Sequence, residues 1–325
     1  MSAEGLLQLS WRPYRFVLPR SLITSRGALV ERSGWLLRLE ASDGALGWGE
    51  AAAPLLGESP AHLAAALERL PPVLRRDDLE QRISALPAAF ACAVGMALAE
   101  LDGGWAAAPE NGLRVPASAW LLPAGELALD ALDRVLADQR GELTFKWKVA
   151  AAADALECGV LEQLLQRLPT SARLRLDANG GWDPATAQRW ADRLRDEPRL
   201  QWLEQPLAPA AWAELLRLAA RVPVALDESL PHLQPEQQVA WPGWLVRRPL
   251  QEADPRPLLA QLQAGLPRQM ISTAFETGIG RRFVEQLAAL QAQGPTPVAP
   301  GFAPGWRPHG ELFAVDAQRV WEAAA

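Results

Sequence analysis

Only two lysines occur in this chain, Lys146 and Lys148, one residue apart among 32 basic residues. All the others are arginine, which stays protonated in proteins. A lysine in a cation-rich, low-dielectric site can instead lose its proton and act as a base. Phe145-Lys146-Trp147-Lys148-Val149 is strand-like. On a strand an i, i+2 spacing turns both ammonium groups to one face and Trp147 to the other. Three carboxylates follow, in Leu176-Asp177-Ala178-Asn179, Glu204-Gln205-Pro206 and Leu226-Asp227-Glu228-Ser229. Brought together, Asp177, Glu204 and Asp227 repel one another unless a cation sits among them. An all-oxygen set suits a hard dication such as Mg2+, with Mn2+ as a substitute. A metal so held can bind a substrate carboxylate and stabilise an enediolate, while a lysine takes the proton alpha to that carboxylate. Adjacent ammonium groups close to the metal are expected to depress one lysine pKa and leave free amine.

Residues so far apart in sequence meet only if the chain between them folds in repeated units. From about residue 115, short apolar runs alternate with amphipathic helical patterns. The runs are 117–122, 143–149, 172–176, 200–203, 222–226, 244–246, 269–272 and 296–299. This repetition predicts eight parallel strands in an α/β barrel rather than a doubly wound sheet. No glycine-rich dinucleotide or phosphate loop follows the first run, which agrees. Chemistry in such a barrel sits at the C-terminal strand ends. The sixth run ends there in Val246-Arg247-Arg248-Pro249, which adds a guanidinium to the lysines and acids. Asp183-Pro184 reads as a helix start, and Gly265 and Gly294 as helix stops. Before residue 115, alternating strands at 6–11, 34–40 and 45–50 precede alanine-rich helices at about 60–70 and 86–101, the second stopping at Asp102-Gly103-Gly104.

As an ordered set, these motifs resemble the muconate-lactonising-type branch of the enolase superfamily, and within it the o-succinylbenzoate synthase family. Gly47-Trp48-Gly49-Glu50-Ala51 and Ile271-Ser272-Thr273-Ala274-Phe275-Glu276-Thr277-Gly278 extend the likeness over nearly the whole chain. The resemblance implies a modified (β/α)7β TIM-like barrel over 113–302. An α+β capping domain would cover 1–112, with 303–325 returning to it and specificity loops at 21–27 and 48–55. It implies that Asp177, Glu204 and Asp227 bind Mg2+ and that Lys148 is the base. Lys146 and Arg248 would hold the enediolate. Arg175 and Asn179 would meet metal-shell or substrate groups, and Ser272, Thr273 and Gly301 a substrate carboxylate. The implied reaction dehydrates 2-succinyl-6-hydroxy-2,4-cyclohexadiene-1-carboxylate to o-succinylbenzoate, in menaquinone or phylloquinone synthesis.

One departure carries information. Relatives place a lysine where Arg248 stands. Racemases need a base on each face of the alpha carbon, and arginine is a poor proton shuttle. A syn dehydration needs one lysine only. Dipeptide epimerases of the group carry Asp-x-Asp after the eighth strand, whereas this chain reads Val298-Ala299-Pro300-Gly301-Phe302. Muconate cycloisomerase and N-acylamino-acid racemase remain sister readings, and a non-catalytic binding protein on the same barrel a more distant one.

A net charge of −6 and a pI near 5.3 argue against a nucleic-acid or anionic-membrane partner; the expected partner, from the site motifs, is a small-molecule carboxylate. No run approaches about 20 apolar residues, and the first 20 residues lack a signal-peptide pattern, so a cytoplasmic protein is expected. Oligomeric state is not legible, and a monomer is compatible. Cys92 and Cys158 read as buried small residues. His62, His232 and His309 lack zinc spacing. Glu228 reads as a structural acid, Asp130 and Asp133 as a solvated face, and Arg281-Arg282 as helix-surface arginines.

Overall fold

The computed structural model describes residues 5–24, 27–53, 60–67, 69–106 and 112–324, without the side chains of residues 23, 24 and 60–63. The predicted loops at 21–27 and 48–55 lie partly outside the described residues, as does the His62 side chain.

The first part of the chain forms an antiparallel sheet of β1 (Leu6–Thr24), β2 (Gly27–Ala41), β3 (Leu46–Ala52) and β4 (Val73–Arg75), in the order β3-β2-β1-β4. β1 and β2 run well beyond the predicted 6–11 and 34–40, pairing from Leu7↔Ala41 to Thr24↔Gly27 with a register shift between Val17 and Leu22. Alternation persists: Tyr14 and Leu18 are buried while Pro13, Arg15, Val17 and Pro19 are exposed. The two outward prolines and the arginines concealed this from a strand-propensity reading.

Helix Ala88–Leu101 is apolar all round, and each residue from Ala89 to Ala99 is buried, as expected of a helix covered on every side. It ends at the predicted stop, with Gly103 at φ +64° and Gly104 N–H bonded to the Ala99 carbonyl. β3 lies directly on it. A Cβ at Gly49 would stand 2.0 Å from the Ala93 carbonyl oxygen, so only glycine fits. Trp48 and Glu50, alternating with the glycines, consequently face the other way.

The rest of the chain builds a curled parallel sheet, giving a mixed α/β fold. Its strands are β5 (Trp120–Leu122), β6 (Thr144–Lys148), β7 (Arg173–Asp177), β8 (Leu200–Glu204), β9 (Val224–Leu226), β10 (Trp244–Arg247) and β11 (Gln269–Ile271), each paired with the next. Helices Leu127–Asp138, Asp154–Arg167, Pro184–Leu194, Trp212–Ala219 and Arg256–Gln263 lie between strands, and Gly278–Gln293 follows β11. The Asp183 carboxylate accepts from Thr186 N–H at 2.8 Å and Pro184 opens the helix, as predicted. Phe145, Trp147, Leu174, Leu176 and Leu203 turn outward into the core beneath the helices, with Trp182 and Trp190. Lys146, Lys148, Arg175, Asp177, Trp202 and Glu204 alternate with them and share the opposite face.

Seven of the eight predicted runs are strands. Residues 296–299 form none. Pro295, Pro297 and Pro300 carry no N–H to give a ladder. An isolated parallel bridge, Ser272↔Gly301, appears just beyond. Gly301 N–H donates to the Ile271 carbonyl at 2.8 Å, and Ala119 N–H donates to the Pro300 carbonyl at 2.9 Å. This short segment therefore touches both edges of the sheet.

Two further expectations fail. Cys92 is buried, but Cys158 is exposed because it lies on the outer face of its helix. Arg281 and Arg282 are mostly covered, at 14% and 12% side-chain exposure, since each pairs with an acid: Arg281 with Glu285 and Arg282 with Glu100. Among the described residues no helix is long and apolar enough to cross a membrane.

Candidate active site

Strand register sets the site. Lys148 is opposite Asp177, and Asp177 is opposite Glu204. Glu204 pairs with Ala225, two residues before Asp227. Lys146 Nζ lies 2.6 Å from Asp177 and 2.5 Å from Glu204, bridging the two carboxylates. Lys148 Nζ donates to Asp177 at 2.6 Å and to Asn179 Oδ1 at 2.8 Å. From β10, Arg248 grips Asp227 with Nε at 2.9 Å and Nη2 at 2.5 Å, and its Nη1 donates to the Thr273 carbonyl at 2.6 Å. The structure thus gathers the two lysines, three acids and Arg248 at the C-terminal ends of β6 to β10.

Electrostatics follow from this pairing. Burial alone lowers a lysine pKa, but the charges of Asp177 and Glu204 outweigh it and hold the Lys146 ammonium above the ordinary lysine value. In this pairing of side chains alone the acids dominate. Asp177, although buried, is held well below the carboxylate range by Lys146 and Lys148. Glu204 moves the other way, raised by burial and then by Asp177. Burial, then Asp227 and Asp177, push the Glu228 carboxyl up to about 7.

The three carboxylates offer hard oxygen donors already gathered on cations, which suits a hard dication. Among the described residues no three acidic, histidine or cysteine groups form a ready metal cage. In this structure Lys146, Lys148 and Arg248 occupy the carboxylates. The donor set fits Mg2+, and binding it means that these cations give up their present pairs.

A pocket opens beside the cluster. Lys146, Lys148 and Arg248 line it with Leu22, Leu121 and Phe275, and Ser272, Thr273 and Gly301 complete the wall. Arg175 does not reach it. Two residues before Asp177 on the same face, it lies one layer down and is fully buried. Its guanidinium stacks over Trp202 at 4.1 Å, and Nη2 donates to the Ala299 carbonyl at 2.7 Å. Arg175 therefore lies beneath the site and not on this pocket wall. Asn179 also stays off the pocket wall. It accepts from Lys148 and donates to Glu228 at 2.9 Å, orienting the lysine.

Sequence reasoning missed three supports. Gln205 Oε1 accepts from Asp227 N–H at 3.1 Å and Ser229 N–H at 3.0 Å, fixing the loop that carries Asp227. The Glu157 carboxylate gathers the N–H groups of Ala150, Ala151 and Ala152 at 2.8–3.0 Å, holding the turn after Lys148. Glu50 accepts from Tyr14 Oη at 2.7 Å, Thr277 Oγ1 at 2.6 Å and Gly280 N–H at 2.9 Å, tying β3 to the segment after β11. Gln205 and Glu50 stood inside quoted motifs, though neither motif named their partners. Glu157 showed no linear signal.

Residues 128–240 match the family described as enolase C-terminal domain-like. Over 335 aligned residues the chain is 36% identical to o-succinylbenzoate synthase of Thermosynechococcus vestitus, covering 97% of this chain and 99% of that protein. Similarity to o-succinylbenzoate synthase of Desulfotalea psychrophila is 29% over 75% of this chain and 78% of the relative. The crystal structure of o-succinylbenzoate synthase from Thermosynechococcus elongatus, complexed with Mg in the active site, superposes with a TM-score of 0.78 at 34% identity, covering 97% of this chain and 99% of that one. The chain therefore belongs to the enolase superfamily and, within it, to the o-succinylbenzoate synthase family.

Proposed function

We propose that this protein is a Mg2+-dependent lyase that dehydrates 2-succinyl-6-hydroxy-2,4-cyclohexadiene-1-carboxylate to o-succinylbenzoate. The observation that carries this reading is the convergence of Lys146, Lys148 and Arg248 on one pocket beside Asp177, Glu204 and Asp227. We read the curled sheet as a (β/α)7β barrel closed by residues 300–301. Residues 1–112 and 303–325 are its cap. Supply of menaquinone or phylloquinone synthesis in the cytoplasm fits a carboxylate-handling lyase.

Asp177, Glu204 and Asp227 would hold the ion, which supplies positive charge to the substrate carboxylate as the alpha proton leaves. Lys148 takes that proton. Asn179 and Asp177 aim its nitrogen from behind. The electron pair left on the alpha carbon forms a ring double bond as the neighbouring C–O bond breaks. The Lys148 ammonium then protonates the departing hydroxide, giving water and the aromatic acid. Lys146 and Arg248 are cations throughout and stabilise negative charge on the carboxylate oxygens. Ser272, Thr273 and Gly301 border the same space and orient the substrate.

Lys148→Ala tests the assignment. Its kcat for dehydration should fall roughly a thousandfold or more, the scale of a lost general base. Product affinity should stay within about threefold of wild type. A variant with near-normal kcat would remove Lys148 from the base role.

A further inference from the structure

Beside the substrate pocket lies a second, cationic recess. The two share Thr273 and Phe275 as a common wall, and Arg281, Arg307, Phe302 and Trp306 line the recess beyond it. Its two guanidinium groups differ in one respect. Arg281 is answered by Glu285 at 2.6 Å and faces Glu276 at 3.6 Å. Glu276 also borders the recess, but its Oε2 is already taken by Thr273 Oγ1 at 2.8 Å and Ala274 N–H at 2.9 Å. Arg307 has no such partner. Its Nη2 donates to the Phe313 carbonyl at 2.9 Å, and among the described residues no carboxylate stands within ion-pair distance of it. It is half-buried, and burial together with the Arg281 charge keeps its guanidinium below the usual arginine value. A partly desolvated cation held in no direct ion pair favours an incoming anion.

The substrate of the proposed reaction carries two carboxylates. The ring carboxylate belongs among Lys146, Lys148 and Arg248. The second ends a flexible succinyl tail and needs a cation at some distance from the ring. We propose that Arg307 binds the tail carboxylate of the substrate, reached past Thr273 and Phe275, and so selects succinyl-bearing rings over uncharged analogues. This rests on the dehydratase reading. Phe275, held at φ +60°, stands between the two spaces and would pack on the methylenes of the tail.

The test is calorimetric binding at saturating Mg2+ of o-succinylbenzoate and of 2-butanoylbenzoate, whose tail ends in a methyl group. Wild type should prefer the first by roughly tenfold or more, as a charge-assisted hydrogen bond provides. Arg307→Gln should bind both alike. Arg307→Lys keeps the charge without the fork and should retain only part of the preference, which decides the matter if the glutamine variant does not fold. No preference in wild type, or an undiminished one in either variant, overturns the proposal. Turnover separates the two readings. Wild-type dehydration without tail preference sinks the Arg307 subsite alone. Tail preference without dehydration sinks the dehydratase reading and leaves the anion site standing.

Discussion

Lys146 and Lys148 share a strand face and differ in what they touch. Lys146 is clasped by two carboxylates, which keep its proton on. Lys148 meets one carboxylate and a neutral amide oxygen. In the proposed mechanism the first is thereby an electrostatic residue and the second the base. Arg248 enters the pocket from β10, four strands away from β6, and cannot give up its proton. Arg248→Lys should keep the charge opposite Asp227 and add a second titratable amine. The opposite enantiomer of an N-acylamino acid should then form, which wild type does not make over the same time. Wild-type racemisation at a comparable rate would contradict the one-base account. The six charged residues at the centre were legible from type and spacing. Their pairing was not, because the direction of the Lys146 shift depends on distances to Asp177 and Glu204 that only the strand register fixes.

The elements around the site are held by buried carboxylates that cap backbone. Glu157 fastens the turn after β6, and Glu50 fastens the start of helix Gly278–Gln293 from the other sheet. A helix N-terminus presents unpaired N–H groups and favours a negative neighbour. Thr277 caps that helix through Ile279 N–H, and Gly280 leaves room for Glu50: a Cβ there would come within 2.7 Å of Glu50 Oε2. Glu50→Ala strands these donors in a dry interface and should cost about 3 kcal/mol in urea unfolding, more than an exposed Glu→Ala change. A loss under about 0.5 kcal/mol would show that the latch carries no stability. The same variant should raise KM through the loop that carries Thr273 and Phe275. Strand ends, helix starts and most helix stops could be read in advance from Asp183-Pro184, Gly103 and the apolar runs. The outer halves of β1 and β2 could not, because Pro13, Arg15 and Pro19 face water there. The Glu50 latch joins residues 227 apart in sequence, so no local pattern announces it.

The two sheets are one body at the scale of the whole molecule. Helix Ala88–Leu101 contributes Cys92 and Met96 to a core shared with Leu250, Phe283 and Leu287 from the later part of the chain. Near the other end, Val320 and Trp321 pack with Tyr14, Leu36, Trp48 and Ile279. Such shared cores predict one cooperative unfolding transition, with tryptophan fluorescence and far-ultraviolet circular dichroism melting together. Two separated transitions would contradict it. The repeated strand–helix rhythm made the parallel part readable. The last run was misplaced by a few residues, because Pro295, Pro297 and Pro300 cannot build a ladder and Gly301 makes an isolated bridge. All of this scaffolding places two lysines and Arg248 beside three acids, and the most direct test is turnover itself. The purified wild-type protein should convert 2-succinyl-6-hydroxy-2,4-cyclohexadiene-1-carboxylate to o-succinylbenzoate with Mg2+. It should lose that activity in a chelator and regain it when Mg2+ is restored. Absence of product with Mg2+ present, or equal turnover in the chelator, would contradict the account.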